Sequence, residues 1–250
     1  MTTSLITGAT AGIGLEFARQ LAARGDDLVL VARDTERLED VAATLRSSYD
    51  VTVEVLPADL TERAGLARVE ARLGDRDQPV DLLVNNAGFG LKKRFLDNSV
   101  EEETAMLEVL VTAVMRLSHA ALGPMAERGT GGIINVSSVA AFLPRGTYSA
   151  AKAWVNSFSE WAHLEYASRG VRVMSLCPGF TKTEFHQRME VKRGDGFMWL
   201  EPDFLVSRAL DDFAKGRAYS IPGAQYRTIT ALSRVIPNRA LRLAQSMGRR

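Results

Sequence analysis

Short, continuous apolar runs alternate with longer helical periods along almost the whole chain. "SLIT" at 4–7, "LVLVA" at 28–32, "VTVEVL" at 51–56, "PVDLLVNN" at 79–86, "GIINVS" at 132–137 and "VRVMSL" at 171–176 read as strands. Helical sequence fills the gaps at about 12–24, 34–45, 61–73, 100–121, 148–168 and 202–215. Strands apolar on both faces are strands covered on both faces, and parallel strands need crossover connections that are usually helical. The alternation therefore predicts an α/β protein, a doubly wound parallel sheet flanked by helices. No linker, repeat or low-complexity segment divides residues 1–250, so a single domain is expected. In such sheets ligands bind beyond the carboxyl ends of the strands, and the motifs below all follow strand ends.

Composition removes several classes. Lysine plus arginine number 31 against 30 acids, so no overall field favours nucleic acid. The one cysteine, Cys177, cannot form an intramolecular disulfide and fits a reducing compartment. "MTTSLITGAT" lacks the basic and apolar regions of a signal peptide, and no run reads as long enough to span a bilayer. A soluble, cytoplasmic protein is the expectation. His119, His163 and His186 have no metal-ligand spacing, and no metal is expected.

"TGATAGIG" at 7–14 lies between the first strand and the first helix. Gly8, Gly12 and Gly14 suit a tight turn whose backbone approaches a pyrophosphate, with the helix N-terminus facing the anion. The second strand ends in "LVLVARDTERL", with Ala32 where a ribose-binding carboxylate commonly stands and Arg33 after it. A guanidinium there suits the 2′-phosphate of NADP(H). Asp34 keeps NAD(H) open, since a one-residue shift would restore an acid. Asp59, after the third strand, reads either as an acceptor for the adenine amino group or as a helix-start carboxylate. In "NNAG" at 85–88, Asn85 and Asn86 can tie adjacent turns, while Ala87 and Gly88 leave room for a nucleotide.

"SSVAAFLPRGTYSAAK" at 137–152 places Tyr148 and Lys152 four residues apart, on one helix face. A phenol titrates near ~10, too high for a base at neutral pH, and a neighbouring ammonium would lower it. The pair then reads as a general acid/base. Ser138, after the fifth strand, can hold a substrate oxygen; strand alternation turns Ser137 the other way.

Taken together, "TGATAGIG", "NNAG", "SS" before "YSAAK", and "PGFTKT" at 178–183 resemble the short-chain dehydrogenase/reductase family over roughly residues 4–223. The resemblance implies a Rossmann-type fold, a nicotinamide cofactor and reversible hydride transfer between alcohol and carbonyl. It assigns proton donation to Tyr148, ribose binding and pKa lowering to Lys152, and carbonyl positioning to Ser138. It assigns the phosphate turn to Gly8, Gly12, Ile13 and Gly14. Adenosine-side contacts fall to Asp59, Asn86 and Ala87, and nicotinamide-side contacts to Pro178, Gly179 and Thr183. Arg33 stands where NADP-preferring members often have a basic residue. Two departures are visible. Leu110 replaces the asparagine that in the family anchors a water leading from the lysine toward solvent. Ser138 also precedes Tyr148 by ten residues, a shorter loop than usual. The first departure keeps a non-catalytic, nucleotide-binding relative as an alternative; an isomerase or epimerase is another.

Residues 180–201 read as a substrate lid. Phe185, Met189, Phe197, Met198, Trp199 and Leu200, with Phe142 and Leu143 nearby, read as lining for a hydrophobic carbonyl or alcohol substrate, or as packing for the lid or an oligomer interface. The basic tail at 236–250, with Leu241 and Ala244 on one side of a possible helix, reads as a packed terminal helix or a membrane-surface contact. The resemblance implies a homodimer or homotetramer, because family members commonly pair such helices; the apolar stripes at 100–121 and 148–168, including Trp154, Phe158 and Trp161, fit that interface or the intrachain core alike.

Overall fold

The computed structural model describes residues 2–184 and 196–233. Seven strands form one parallel sheet in the order β3-β2-β1-β4-β5-β6-β7. They are β1 (Thr3–Thr7), β2 (Asp27–Ala32), β3 (Val53–Pro57), β4 (Leu82–Asn85), β5 (Gly131–Val136), β6 (Val171–Leu176) and β7 (Tyr219–Ser220). The order reverses between β1 and β4, which opens a crevice at their carboxyl ends. The helices are α1 (Gly12–Ala22), α2 (Thr35–Ser48), α3 (Arg63–Gly74), α4 (Val100–Leu107), α5 (Val114–Arg128), α6 (Thr147–Tyr166), α7 (Pro202–Ala214) and α8 (Ala224–Ser233).

Strand periodicity divides the core between the two faces. Ile6, Leu28, Leu30, Ile134 and Met174 point to one side, where Phe17 of α1, Leu38 of α2 and Leu205 of α7 cover them. Their neighbours Leu5, Val29, Val31, Ile133 and Val173 point to the other, against Val69 of α3, Leu117 of α5 and Ala162 of α6. This two-sided burial is why the strands are apolar at successive positions rather than at every second one.

Three elements depart from the sequence reading. The strand β7 has two residues, too few for a periodic signal, and α8 carries a weak mixture of polar and apolar residues. The helix expected to end near residue 121 runs on to Arg128, through Pro124, and stops at the left-handed Gly129. Between α4 and α5 it passes through a π turn, Glu108–Ala113, so Val100–Arg128 is continuous. By length and composition this stretch could cross a bilayer, yet half of its most apolar window is buried, packed on α3 and the sheet. The other expectations of a spanning or surface segment concern 236–250, which lies outside the described residues.

Buried polar side chains fasten the helices to the strand ends. Asn85 Nδ2 donates to Asn135 Oδ1 at 2.9 Å and to Ser118 Oγ at 3.2 Å, and Asn135 Nδ2 donates to Ser159 Oγ at 2.9 Å. The set joins β4 and β5 to α5 and α6. Asn85 thus braces helices, whereas only Asn86 ties turns. Truncating Asn135 strands a buried donor and a buried acceptor, and each such loss costs about 1–3 kcal/mol. Asn135→Ala should therefore lower the unfolding free energy by about 2 kcal/mol, read as a lower urea midpoint with unchanged slope.

Candidate active site

A cavity of about 540 Å³ runs across the carboxyl ends of the strands, from Arg33 and Asp59 to Tyr148 and Lys152. It collects Gly8, Gly12, Ile13, Asn86, Ala87, Ser138, Pro178, Gly179 and Thr183 as well. Of the sequence-predicted residues, Gly14 alone does not line it. A Cβ there would come within 2.2 Å of the Gly8 carbonyl oxygen, so Gly14 lets α1 pack directly behind the turn. Gly8 has φ +68°, the left-handed region, and a Cβ on it would meet the Asn86 amide at 2.9 Å. The cradle is consequently bare backbone at the start of α1, a form that fits a dinucleotide pyrophosphate.

Thr7 and Asn86 fix that cradle. The Thr7 hydroxyl accepts from the Asn86 and Ala87 amides, each at 3.0 Å, and donates to the Val84 carbonyl at 3.4 Å. The Asn86 side chain donates to the carbonyls of Thr7 at 2.8 Å and Gly8 at 3.2 Å.

At the far end, β2 stops at Ala32 and Arg33 opens into the cavity, 3.8 Å from Asp59 Oδ2. Burial draws the Asp59 carboxyl up, but the Thr61 amide and hydroxyl, at 2.9 and 2.7 Å, and Arg33 hold it below its ordinary value. Asp34 accepts from the Arg37 amide at 3.1 Å and caps α2. Its backbone position makes it a cap and not the terminal acid of the strand. Arg37 was not singled out from the sequence. It reaches back across the cavity edge to the Thr10 carbonyl at 3.3 Å and to Glu184 at 3.1 Å. Its place in the first turn of α2, one turn after Arg33, was the available signal.

At the opposite end, α6 begins at Thr147 and brings Tyr148 and Lys152 onto one face, with Lys152 Nζ 5.8 Å from the centre of the Tyr148 ring. Lys152 is buried and donates to the Val136 carbonyl at 2.7 Å. Burial pushes its pKa down to about 8, against a weaker upward pull from Cys177. Burial pushes the Tyr148 phenol up to about 12, and its hydrogen bond with Ser138 only partly offsets this. The sequence expectation of a phenol lowered by the ammonium is therefore reversed in the protein alone: desolvation exceeds the effect of charge. Ser138 opens a short 3₁₀ turn and accepts from the Ala140 amide at 3.1 Å. Ser137 turns inward and donates to the Lys152 carbonyl at 2.9 Å, bracing the helix that carries the pair.

Leu110 lies in the π turn, fully buried, packed with Met106 and Ala151. A Cβ on Gly88 would lie 2.8 Å from Leu110 Cδ2 and 3.9 Å from Lys152 Nζ, so the leucine forms an apolar wall close to the lysine. Tyr148 also lines a second cavity of about 440 Å³, bordered by α4, the start of α6 and the loop at 91–98.

The two described flanks of the expected lid meet as paired backbone. Leu200 donates to Phe180 at 2.8 Å and Lys182 to Leu200 at 3.0 Å. Tyr226 of α8 holds both flanks, since its hydroxyl accepts from the Phe180 amide at 2.8 Å and donates to the Met198 carbonyl. Phe180 and Trp199 pack ring to ring, 5.3 Å between centres. Phe185, His186 and Met189 lie outside the described residues.

Comparison with known proteins agrees with this geometry. A family model described as short chain dehydrogenase matches residues 2–194. A short-chain dehydrogenase from Sphingobium yanoikuyae, solved in complex with NADPH, superposes with a TM-score of 0.86 at 37% identity, covering 94% of both chains. The bulky-bulky ketone specific alcohol dehydrogenase from Comamonas testosteroni gives 0.82 at 33% identity, covering 94% of this chain and 92% of that one. The very-long-chain 3-oxoacyl-CoA reductase of Anas platyrhynchos is 35% identical over 188 residues, 72% of this chain. The match spans only 60% of the duck protein's length.

The depressed lysine has a measurable consequence. Between about 8 and the ordinary 10.5, the unfolded chain binds a proton at Lys152 that the folded protein has released. Stability from this group therefore rises with pH across that window. The wild-type unfolding free energy minus that of Lys152→Met should climb from pH 8 to 10.5. Cys177, pushed up to about 11 by burial, acts in the opposite sense but is present in both proteins. A flat or falling difference in urea unfolding across the window would contradict the assignment.

Proposed function

Because the chain belongs to the short-chain dehydrogenase/reductase family, we propose that it is an NADP(H)-dependent reductase interconverting a hydrophobic carbonyl compound and its secondary alcohol. It is an NAD(P)-dependent enzyme acting on the CH–OH group of donors. The single observation that carries the finer reading is the cavity that joins Arg33 to Tyr148 and Lys152.

The nicotinamide supplies or accepts the hydride when the cofactor is bound. The protein's own residues handle the rest. Ser138, already hydrogen-bonded to Tyr148, orients the carbonyl oxygen. Tyr148, protonated at neutral pH with its pKa near 12, donates its phenolic proton to that oxygen during reduction and recovers it in the reverse direction. Lys152 is pinned by the Val136 carbonyl and keeps its ammonium beside the ring, where a developing phenolate would need it. Arg33 and Arg37 supply guanidinium groups for a 2′-phosphate, and the engagement of Asp34 as a helix cap supports NADP(H) over NAD(H).

The hydrophobic substrate rests on Phe180, Met198 and Trp199 at the lid flanks and on two relatives, one named for bulky ketones and one for very-long-chain oxoacyl substrates. A homodimer or homotetramer belongs to the same reading. It is supported by the ring series Trp154–Phe158–Trp161–Tyr166 along α6, where Trp161 and Leu164 are exposed. A cytoplasmic location accords with the free, buried Cys177.

Leu110 favours a second reading, a cofactor-binding protein with little turnover, because it sets an apolar wall where a polar relay would pass. One set of assays separates the two. Tyr148→Phe should lower carbonyl reduction by roughly 10²–10⁴-fold while NADPH still binds. A wild type that binds NADPH, reduces no ketone, aldehyde or oxoacyl thioester, and is indifferent to Tyr148→Phe supports the second reading instead. For cofactor choice, Arg33→Ala should weaken NADPH binding about tenfold and leave NADH nearly unchanged. Equal losses for both cofactors would remove Arg33 from that role.

A further inference from the structure

Tyr148 lines both the long cleft described above and the 440 Å³ cavity. That second cavity is unlike the first in its charge. Lys93 and Arg94 enter it from the loop after β4, and Arg145 from the shortened loop three residues before Tyr148. All three are exposed, and none has a carboxylate partner among the described residues.

Two acids share the cavity. Glu103 is buried and already engaged, accepting from Asn98 at 2.8 Å and from the Thr147 hydroxyl at 2.5 Å. It fastens α4 to the first residue of α6, and its charge is held by two neutral donors rather than by any of the three cations. Asp97 is exposed at the rim. Three cations against these two acids leave the cavity net basic by one charge. Leu91 and Met106 add apolar lining to the same cavity, packed in one cluster with Tyr148.

We propose that this cavity receives the substrate, and that the substrate is an anionic carbonyl compound. Its carbonyl lies at Tyr148, its apolar body crosses Leu91 and Met106, and its carboxylate or phosphate oxygens meet Lys93, Arg94 and Arg145. Guanidinium groups are suited to both anions through paired N–H donors. This assignment rests on the reductase reading for the carbonyl end only; the anion site is defined by the cavity itself.

The test compares γ-oxodecanoate with its methyl ester, which differ in charge and scarcely in shape. With NADPH, kcat/KM should favour the acid by about tenfold. The ratio should fall toward one in Arg94→Gln/Arg145→Gln and shrink as salt is raised. Lys215→Gln, on the distant end of α7, should leave it alone. To separate carboxylate from phosphate as the native anion, inorganic phosphate and acetate are compared as competitors of the acid. The stronger competitor names the group. A wild-type ratio near one, or a preference that survives the double variant, overturns the proposal while leaving the reductase reading intact. If no carbonyl is reduced at all, that reading falls instead. Calorimetric titration of the same acid and ester then decides the cavity. Tighter binding of the acid that is lost in the double variant supports it, and equal binding overturns it.

Discussion

The carboxyl ends of β1 and β4 are held together by a threonine hydroxyl and an asparagine amide. Thr7 accepts two backbone amides and donates to a carbonyl, and Asn86 reaches the carbonyls of Thr7 and Gly8. Every other part of the cleft is built outward from this clamp. It sets the gap at the point where strand order reverses, and it fixes the turn on which α1 starts. It also leaves no space behind the turn for a side chain at position 14, where a Cβ would overlap the Gly8 carbonyl. The buried Asn85–Asn135 set repeats the device one residue earlier, anchoring α5 and α6 to β4 and β5. Tyr148 and Lys152 hold their place because α6 is fastened in this way.

The fold was legible because parallel strands with two covered faces write themselves as apolar runs, and six of the seven strands have that form. The glycine turn, Arg33 and the Tyr148–Lys152 pair were legible because each depends on local spacing after a strand end. What escaped the sequence reading depends on tertiary position. The two residues of β7 and the mixed surface of α8 carry no period, so Tyr226, which braces both flanks of the expected lid, could not be anticipated. Arg37 and Glu184 are 147 positions apart and meet only once the sheet is wound. Lys93 and Arg94 likewise share a loop far in sequence from that of Arg145. The alternative raised by Asp34 was one of register, and the structure shows that its side chain caps α2 at the edge of the cavity.

Burial sets the protonation behaviour at the catalytic end of the cleft, whereas at Asp59 the Thr61 hydrogen bonds and Arg33 together outweigh it. Tyr148, Lys152 and Cys177 all move toward their neutral forms, with values near 12, 8 and 11. A charged cofactor or substrate alters that balance directly, because low-dielectric surroundings amplify every new charge. The position of Leu110 next to Lys152 links a departure in the sequence to the electrostatics of the pair.

The π turn at Glu108–Ala113 has a geometric effect beyond the side chain it carries. An extra residue in one turn of a helix advances everything downstream by about 100° while barely changing its length. Upstream of it, Met106 looks toward Tyr148; downstream, Leu117 and Ala121 look toward the sheet. The turn acts as a phase shifter within one continuous rod, letting a single helix pack against Tyr148 with its first half and against the sheet with its second. One residue gained or lost at this spot would rotate the two halves of the helix out of alignment with each other.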